Sequence, residues 1–211
     1  MATQSVRERL STAAFALFDE RGYEHSTVDD IAKRAGVGRM TFFRAFPSKD
    51  DVILPDHEVI LAAVRARLAA STRETSLLGV SDSARLVLRH YLEEGEVARS
   101  RYKLTSSVPA LRHREAASVQ QYQRVFRDFV HGWMGGGQAT GLPAELMATS
   151  VVTAHNYVLR RWLRGLTEQP DAELDAAMAQ VMALFAGLGP NACSPTTLTA
   201  VHPQHEPKRQ P

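Results

Sequence analysis

Apolar residues recur along the first part of the chain at intervals of three and four, and each run stops at a helix breaker. Val6, Leu10, Ala13, Ala14, Leu17 and Phe18 lay one apolar stripe on a helix that Ser5 and Glu8 open as a capping box and Gly22 closes. Thr27 with Asp30 repeats the capping signature and opens a short helix with Val28, Ile31, Ala32 and Ala35 on its buried side, ended by Gly36. A third helix runs from after Val37 through Phe46, where Pro47 stops it, and Ser48 with Asp51 caps a fourth. That fourth helix is predicted from Asp50 to about Ala70, with Pro55 kinking it or confining the break to its first turns. Residues 72–81 are polar around Gly79 and predict a loop or frayed end. Further helices are predicted over 82–95, 97–106, 110–133, 143–165 and 171–188, broken at GGGQATGLP (135–143) and QPD (169–171). No stretch alternates as a strand would. From Gly189 the chain turns to Pro, Thr, Gln and His without periodicity, which predicts a disordered tail. The expectation is an all-α chain of about nine helices, divided into units at 1–49 and 50–188 with a tail at 189–211.

Composition narrows the function classes. With 211 residues, 44% of them hydrophobic, the chain is long enough for a small domain and a larger one. Its one cysteine, Cys193, excludes an intrachain disulfide framework and a cysteine-rich zinc site. No run of 18 apolar residues occurs and the N-terminus MATQSVRERL lacks the apolar run of a signal peptide, so a soluble cytoplasmic protein is expected. There is no G-x-S-x-G, H-E-x-x-H, P-loop or dinucleotide fingerprint, and His113 and His131 lack a second ligand one helical turn away. No enzyme activity, cofactor or metal is therefore expected.

Charge is concentrated in one place. The chain carries a net charge of only +2, yet between Ile31 and Lys49 stand Lys33, Arg34, Arg39, Arg44 and Lys49 with no acidic residue. This basic stretch coincides with a helix, a tight turn at Ala35, Gly36 and Val37, and a second short helix, the arrangement of a helix-turn-helix that lays its second helix in the major groove of DNA. Gly38, Arg39, Met40, Thr41 and Phe43 occupy the exposed start of that second helix, while Phe42 and Phe46 point to the core. Arg39 suits base readout, since a guanidinium pairs bidentately with guanine, and Met40 offers apolar contact to a thymine methyl. Thr27, Thr41 and Lys49 suit phosphate contacts, which position without specifying. The same spacing also occurs in structural helical hairpins, and a basic run is often a solvated face.

The run LSTAAFALFDERGYEHSTVDDIAKRAGVGRMTFFRAFPSKDDVI resembles the N-terminal domain of the tetracycline-repressor (TetR) family, through its AA-x-x-x-F helix and its G-Y, T-V-x-x-I-A, A-G-V and P-S-K elements. The resemblance covers about the first 50 residues. It implies a three-helix DNA-binding domain, a larger helical ligand-binding and dimerisation domain, and a symmetric dimer that represses transcription until a small molecule re-spaces its DNA-reading heads. Three positions depart from the family pattern: Gly38 where a Ser cap is usual, Phe43 where a phosphate-contacting Tyr is usual, and Ala45 at a commonly polar position. Backbone contact would then lean on Arg39, Arg44 and Lys49. TFFRAFPSKDDVILPDHE is further similar to a branch of the family associated with fatty-acyl-CoA-type ligands.

Beyond that run, periodicity alone supplies candidates. Val151, Val158 and Trp162 in one late helix and Leu174, Met178, Val181 and Phe185 in the next form stripes that suit a four-helix dimer interface or, equally, the core of one subunit. A dimer is expected in any case, because one recognition helix reads too few base pairs for operator specificity. Polar and aromatic residues stranded in apolar helices mark effector candidates: His90 and Tyr91, then Tyr122, Phe126 and Phe129, then His155 and Asn156. Arg112, His113 and Arg114 read as a solvated cluster or as the anion-binding mouth of a pocket. The competing function is a DNA-binding architectural protein without an effector, which would lack an internal cavity of several hundred cubic ångströms.

Overall fold

The computed structural model describes residues 5–54 and 57–186. Nine α-helices run through them in the order α1 (Val6–Arg21), α2 (Val28–Arg34), α3 (Arg39–Ala45), α4 (His57–Ala69), α5 (Ser76–Glu94), α6 (Glu96–Ser107), α7 (Pro109–Trp133), α8 (Gly141–Leu163) and α9 (Pro170–Phe185), with no strand among the described residues. Short 3-10 turns at Asp50–Val52 and Gln138–Thr140 precede α4 and α8. The capping boxes at Ser5/Glu8 and Thr27/Asp30 are both formed. Gly36 takes φ +67, the left-handed conformation that lets α2 turn sharply into α3.

Two boundaries differ from expectation. The break predicted over 72–81 is shorter, because α5 already begins at Ser76. Gly79 lies inside that helix against Ser71, where a Cβ would come within 2.1 Å of the Ser71 hydroxyl, so its glycine marks close packing and not a loop. The long helix predicted from Asp50 is instead a 3-10 turn followed by α4. Pro55, the tail from Gly189 and Cys193 lie outside the described residues.

The hydrophobic residues gather into two clusters. One joins Leu10, Leu17, Phe18, Ile31, Phe42, Phe46, Val52 and Ile53 from the first three helices and the turn after them. The other fills the space between α4, α5, α7, α8 and α9, with α8 packed between α7 and α9. The clusters meet at the start of α7, where Leu111 is fully buried in the N-terminal one. Three residues on, the Arg114 guanidinium pairs with Asp51 and, at 3.3 Å, with Asp50 in the 3-10 turn.

Leu111 is thus a core residue of a domain to which its own helix does not otherwise belong. Leu111→Ala should lower unfolding free energy by about 2–5 kcal/mol in urea denaturation. A loss below about 1 kcal/mol would mean that α7 does not complete the N-terminal core.

Candidate DNA-contacting surface and effector cavity

The basic head is built by α2 and α3. Gly38 caps α3 with no side-chain hydrogen bond, so the backbone amides at the start of the helix are left uncovered by any side chain. Met40 is 76% exposed and Phe43 40%, while Phe42 is fully buried and Phe46 nearly so, as the sequence pattern requires. Arg39 is exposed but held: its Nη1 donates to Asp29 Oδ2 at 2.7 Å and its guanidinium lies 5.2 Å from the Phe43 ring centroid. Arg44 reaches Thr41 Oγ1 at 3.3 Å on the same exposed side. Thr27 uses its hydroxyl in the α2 cap.

Lys49 departs from the role of a phosphate anchor. Its Nζ donates to the Tyr23 and Ser26 carbonyls at 2.9 and 3.1 Å and sits 3.9 Å from the Tyr23 ring centroid. The ammonium satisfies the loop between α1 and α2, whose other groups turn inward as well: Ser26 donates to the Gly22 carbonyl at 3.0 Å, and the Tyr23 hydroxyl bonds to Asp50. Two of its three donors face the protein, so its first effect is on the shape of the head.

In the larger unit an open cavity of about 530 Å³ lies between α5, α6, α7 and α8, walled by Tyr91, Val119, Leu159 and Leu163 and rimmed by Arg112 and Arg160. It shares Tyr91, Glu115, Val119, Asn156 and Leu159 with an inner recess of about 40 Å³ that continues to His57, Tyr122, Phe126 and His155. Five of the seven effector candidates, Tyr91, Tyr122, Phe126, His155 and Asn156, therefore face one space. The other two do not. His90 lines a shallow outer depression with Val59, Asp82 and Arg89, because it immediately precedes Tyr91 on α5 and points to a different side of the helix. Phe129 packs against the core one turn beyond Phe126.

The inner end is polar. His57 Nδ1 lies 3.2 Å from the Tyr122 hydroxyl and its Nε2 3.6 Å from Glu115 Oε2. His57 Nε2, Glu115 Oε2 and His155 Nε2 are buried and make no hydrogen bond. Burial and the nearby Glu115 charge push the hydroxyls of Tyr91 and Tyr122 up, so both stay protonated. Burial pushes His155 down to about 4, and it is neutral. On the wall, Arg101 is 6% exposed; its Nε donates to the Ile53 carbonyl at 2.5 Å and its Nη atoms to Glu94 at 2.5 and 2.7 Å.

His57, Arg101 and Glu115 escaped the sequence reading. Glu115 left a trace: Leu111, Glu115, Val119, Tyr122 and Phe126 recur at three and four residues, a carboxylate in the middle of an apolar stripe. Arg101 likewise falls with Ala98 and Thr105 on the buried face of α6. His57 left none, since contact with Glu115 depends on how α4 meets α7.

The residues expected at a dimer interface are inside the subunit. Val151 and Leu174 are fully buried, Val158, Met178, Val181 and Phe185 nearly so, and Trp162 is covered as well, because α8 and α9 pack those stripes against each other and against α5. The faces of α8 and α9 left outside carry Leu146, Tyr157 and Leu184, at 52, 58 and 76% exposure.

Residues 10–54 match the sequence pattern of bacterial regulatory proteins of the tetR family. The regulator MftR of Mycobacterium tuberculosis, named for mycofactocin biosynthesis, is 26% identical over 175 residues, spanning 81% of this chain and 88% of that protein. The fold is similar to that of SmeT in its complex with triclosan, with a TM-score of 0.61 at 17% identity over 86% of this chain and 91% of that one. It is also similar to that of Thermus thermophilus FadR in complex with lauroyl-CoA, with a TM-score of 0.54 at 21% identity over 97% of this chain and all of that one. Among the described residues no helix is long and apolar enough to cross a membrane, and no group of three or more His, Cys, Asp or Glu is placed to hold a metal ion.

The neutral imidazole has a consequence for acid stability. An unfolded histidine takes up a proton near pH 6.5 and His155 only near 4, so the unfolded chain binds the extra proton first and stability falls as pH drops through that window. From about pH 7.5 to about pH 5 the loss due to this group is on the order of 2 kcal/mol. Urea denaturation at the two pH values should show a flatter acid limb in His155→Gln; an unchanged slope would remove His155 as its cause.

Proposed function

We propose, for a chain that belongs to the TetR family of bacterial DNA-binding transcription regulators, that it is a homodimeric repressor released from its operator by a small, largely apolar effector. The observation that carries the effector half is the set of buried polar atoms without hydrogen bonds at the inner end of the cavity. A buried carboxylate oxygen and imidazole nitrogens left without a hydrogen bond cost stability. An architectural DNA-binding protein gains nothing from them, whereas a sensor uses them to recognise what enters. The cavity of about 530 Å³ is also of the scale that holds small ligands. An acyl-CoA-like effector would lay its anionic head against Arg112 and Arg160 at the mouth.

In this reading Arg39 exchanges Asp29 for a base edge, Met40 adds apolar contact, Thr41, Arg44 and the amides after Gly38 meet phosphate, and Thr27 sets the start of α2 through its cap. Phe43 stacks under Arg39 and limits its sweep. The signal runs along one face of α7, on which Leu111 enters the N-terminal core, Arg114 holds Asp50 and Asp51, and Glu115 faces the cavity. Two subunits join across the outer faces of α8 and α9, where the exposed apolar side chains Leu146, Tyr157 and Leu184 lie. Its partner being chromosomal DNA, the protein acts in the cytoplasm.

Gel shifts at stated salt with the DNA upstream of its own gene test the reading directly. Arg39→Ala should relax discrimination at one base pair by about 1–3 kcal/mol, whereas Arg44→Ala should weaken operator and random DNA alike. Absence of any shift at low salt refutes the regulator reading, and equal losses on both DNAs for both variants refute this division of roles. For the dimer, Leu184→Glu should shift the mass measured by light scattering toward the monomer and lower operator affinity with it. A variant that stays dimeric would place the interface elsewhere.

A further inference from the structure

The inner recess sets a chemical requirement on whatever fills it. His155 Nδ1 lies 3.3 Å from Asn156 Oδ1. An amide oxygen only accepts, so Nδ1 carries the imidazole hydrogen and Nε2 presents a lone pair. That Nε2 is buried without a donor, and on the same wall Glu115 Oε2, which only accepts when ionised, has His57 Nε2 facing it at 3.6 Å, beyond hydrogen-bond reach. The facing charges do not change the balance. Arg101 is matched by Glu94, and Arg112 turns to the Ser106 carbonyl. The Tyr122 hydroxyl is held by His57. The inner end is thus rich in acceptors, while the space around it is lined by Val87, Val119, Phe126, Val152 and Leu159.

Resting on the effector reading above, we infer that the effector is an apolar body bearing hydroxyl or amine hydrogens, and that it seats these donors on Glu115 and His155. The volumes divide the molecule accordingly. The recess of about 40 Å³ admits one polar group, whose donors replace those of about one water, and the cavity of about 530 Å³ takes the apolar remainder. A plain acyl chain or an ether pushed into the recess would displace water and leave both acceptors bare. A carboxylate there would meet Glu115 as a like charge. The requirement is therefore opposite to the one set by the arginines at the mouth, and it acts at the buried end, where an unmet hydrogen bond costs most.

Calorimetry on the full chain with 2-naphthol, (2-naphthyl)methylamine, 2-methoxynaphthalene and lauroyl-CoA tests this. The two donor probes should bind at least about ten-fold more tightly than the methyl ether, which has the same ring with its hydrogen removed. Glu115→Gln should cost the amine more than the naphthol, because it removes the charge and keeps an acceptor. His155→Leu should narrow the gap between naphthol and ether. Circular dichroism confirms that each variant folds, and if His155→Leu does not, Glu115→Gln carries the test. An ether or lauroyl-CoA that binds as tightly as the naphthol, or a donor preference that survives both variants, overturns the proposal and leaves the effector reading standing. Failure of every probe to bind counts against both.

Discussion

A guanidinium shut away from water has to be satisfied on several sides at once, and in this chain that constraint joins the two units. Arg101 reaches from α6 to Glu94 at the end of α5 and to the Ile53 carbonyl in the turn that leaves the N-terminal domain. Three elements are fixed by one side chain. Removing a partner from such a buried pair costs about 3–5 kcal/mol, because the remaining charge is left in an apolar surround. The pair is therefore better understood as a specification of geometry than as net stabilisation. It holds the exit of the N-terminal head against the wall of the large cavity, which Arg101 also lines.

The first turns of α7 do the complementary job from the other side. Leu111, Arg114 and Glu115 lie three and four residues apart and so share one face of the helix, yet they meet three surroundings: the apolar core of the head, the acidic 3-10 turn and the cavity. A helix is stiff along its axis. A displacement of this turn cannot be absorbed between neighbours one turn apart, and it must appear in the head and in the cavity together. Lys49 and Tyr23 extend the same logic inside the head, tying the α1–α2 loop to the turn that Arg114 grips.

The helices were legible because their signals are local. Capping boxes, stop glycines and three-to-four-residue stripes involve residues that are neighbours in sequence, and Ser5, Thr27 and Gly36 behave as their spacing demands. The faces were legible only in part. A stripe such as Leu174, Met178, Val181 and Phe185 tells that a helix side is buried, not whether a partner subunit or the same chain buries it, and here α8 and α5 do. Stranded polar residues on α7 and α8 led to the cavity, since apolar helices admit a Tyr or His mainly where something answers it. His57 and the Arg101–Glu94 pair were out of reach because their meaning depends on which helices meet. Lys49 went astray for the related reason that a basic residue beside a DNA-reading helix has two uses for its charge, and a pair of inward carbonyls claims this one.

An effector can shift DNA affinity only by the difference between its affinities for two arrangements of the protein. Apolar walls discriminate poorly between arrangements that differ by a small displacement, since dispersion and burial change gradually with distance. A hydrogen bond is steeper: its useful range is about 2.7–3.2 Å, and misalignment removes it. A bond from the proposed effector to the Glu115 carboxylate, which rides on the same face of α7 as Arg114, would therefore be made well in one arrangement and badly in another. With a charged acceptor it is worth about 1.5–3 kcal/mol, the size of a typical coupling energy between two sites. The atoms that would choose the effector are thus the atoms able to convert its binding into movement of the head, and the apolar bulk of the cavity supplies affinity without signal.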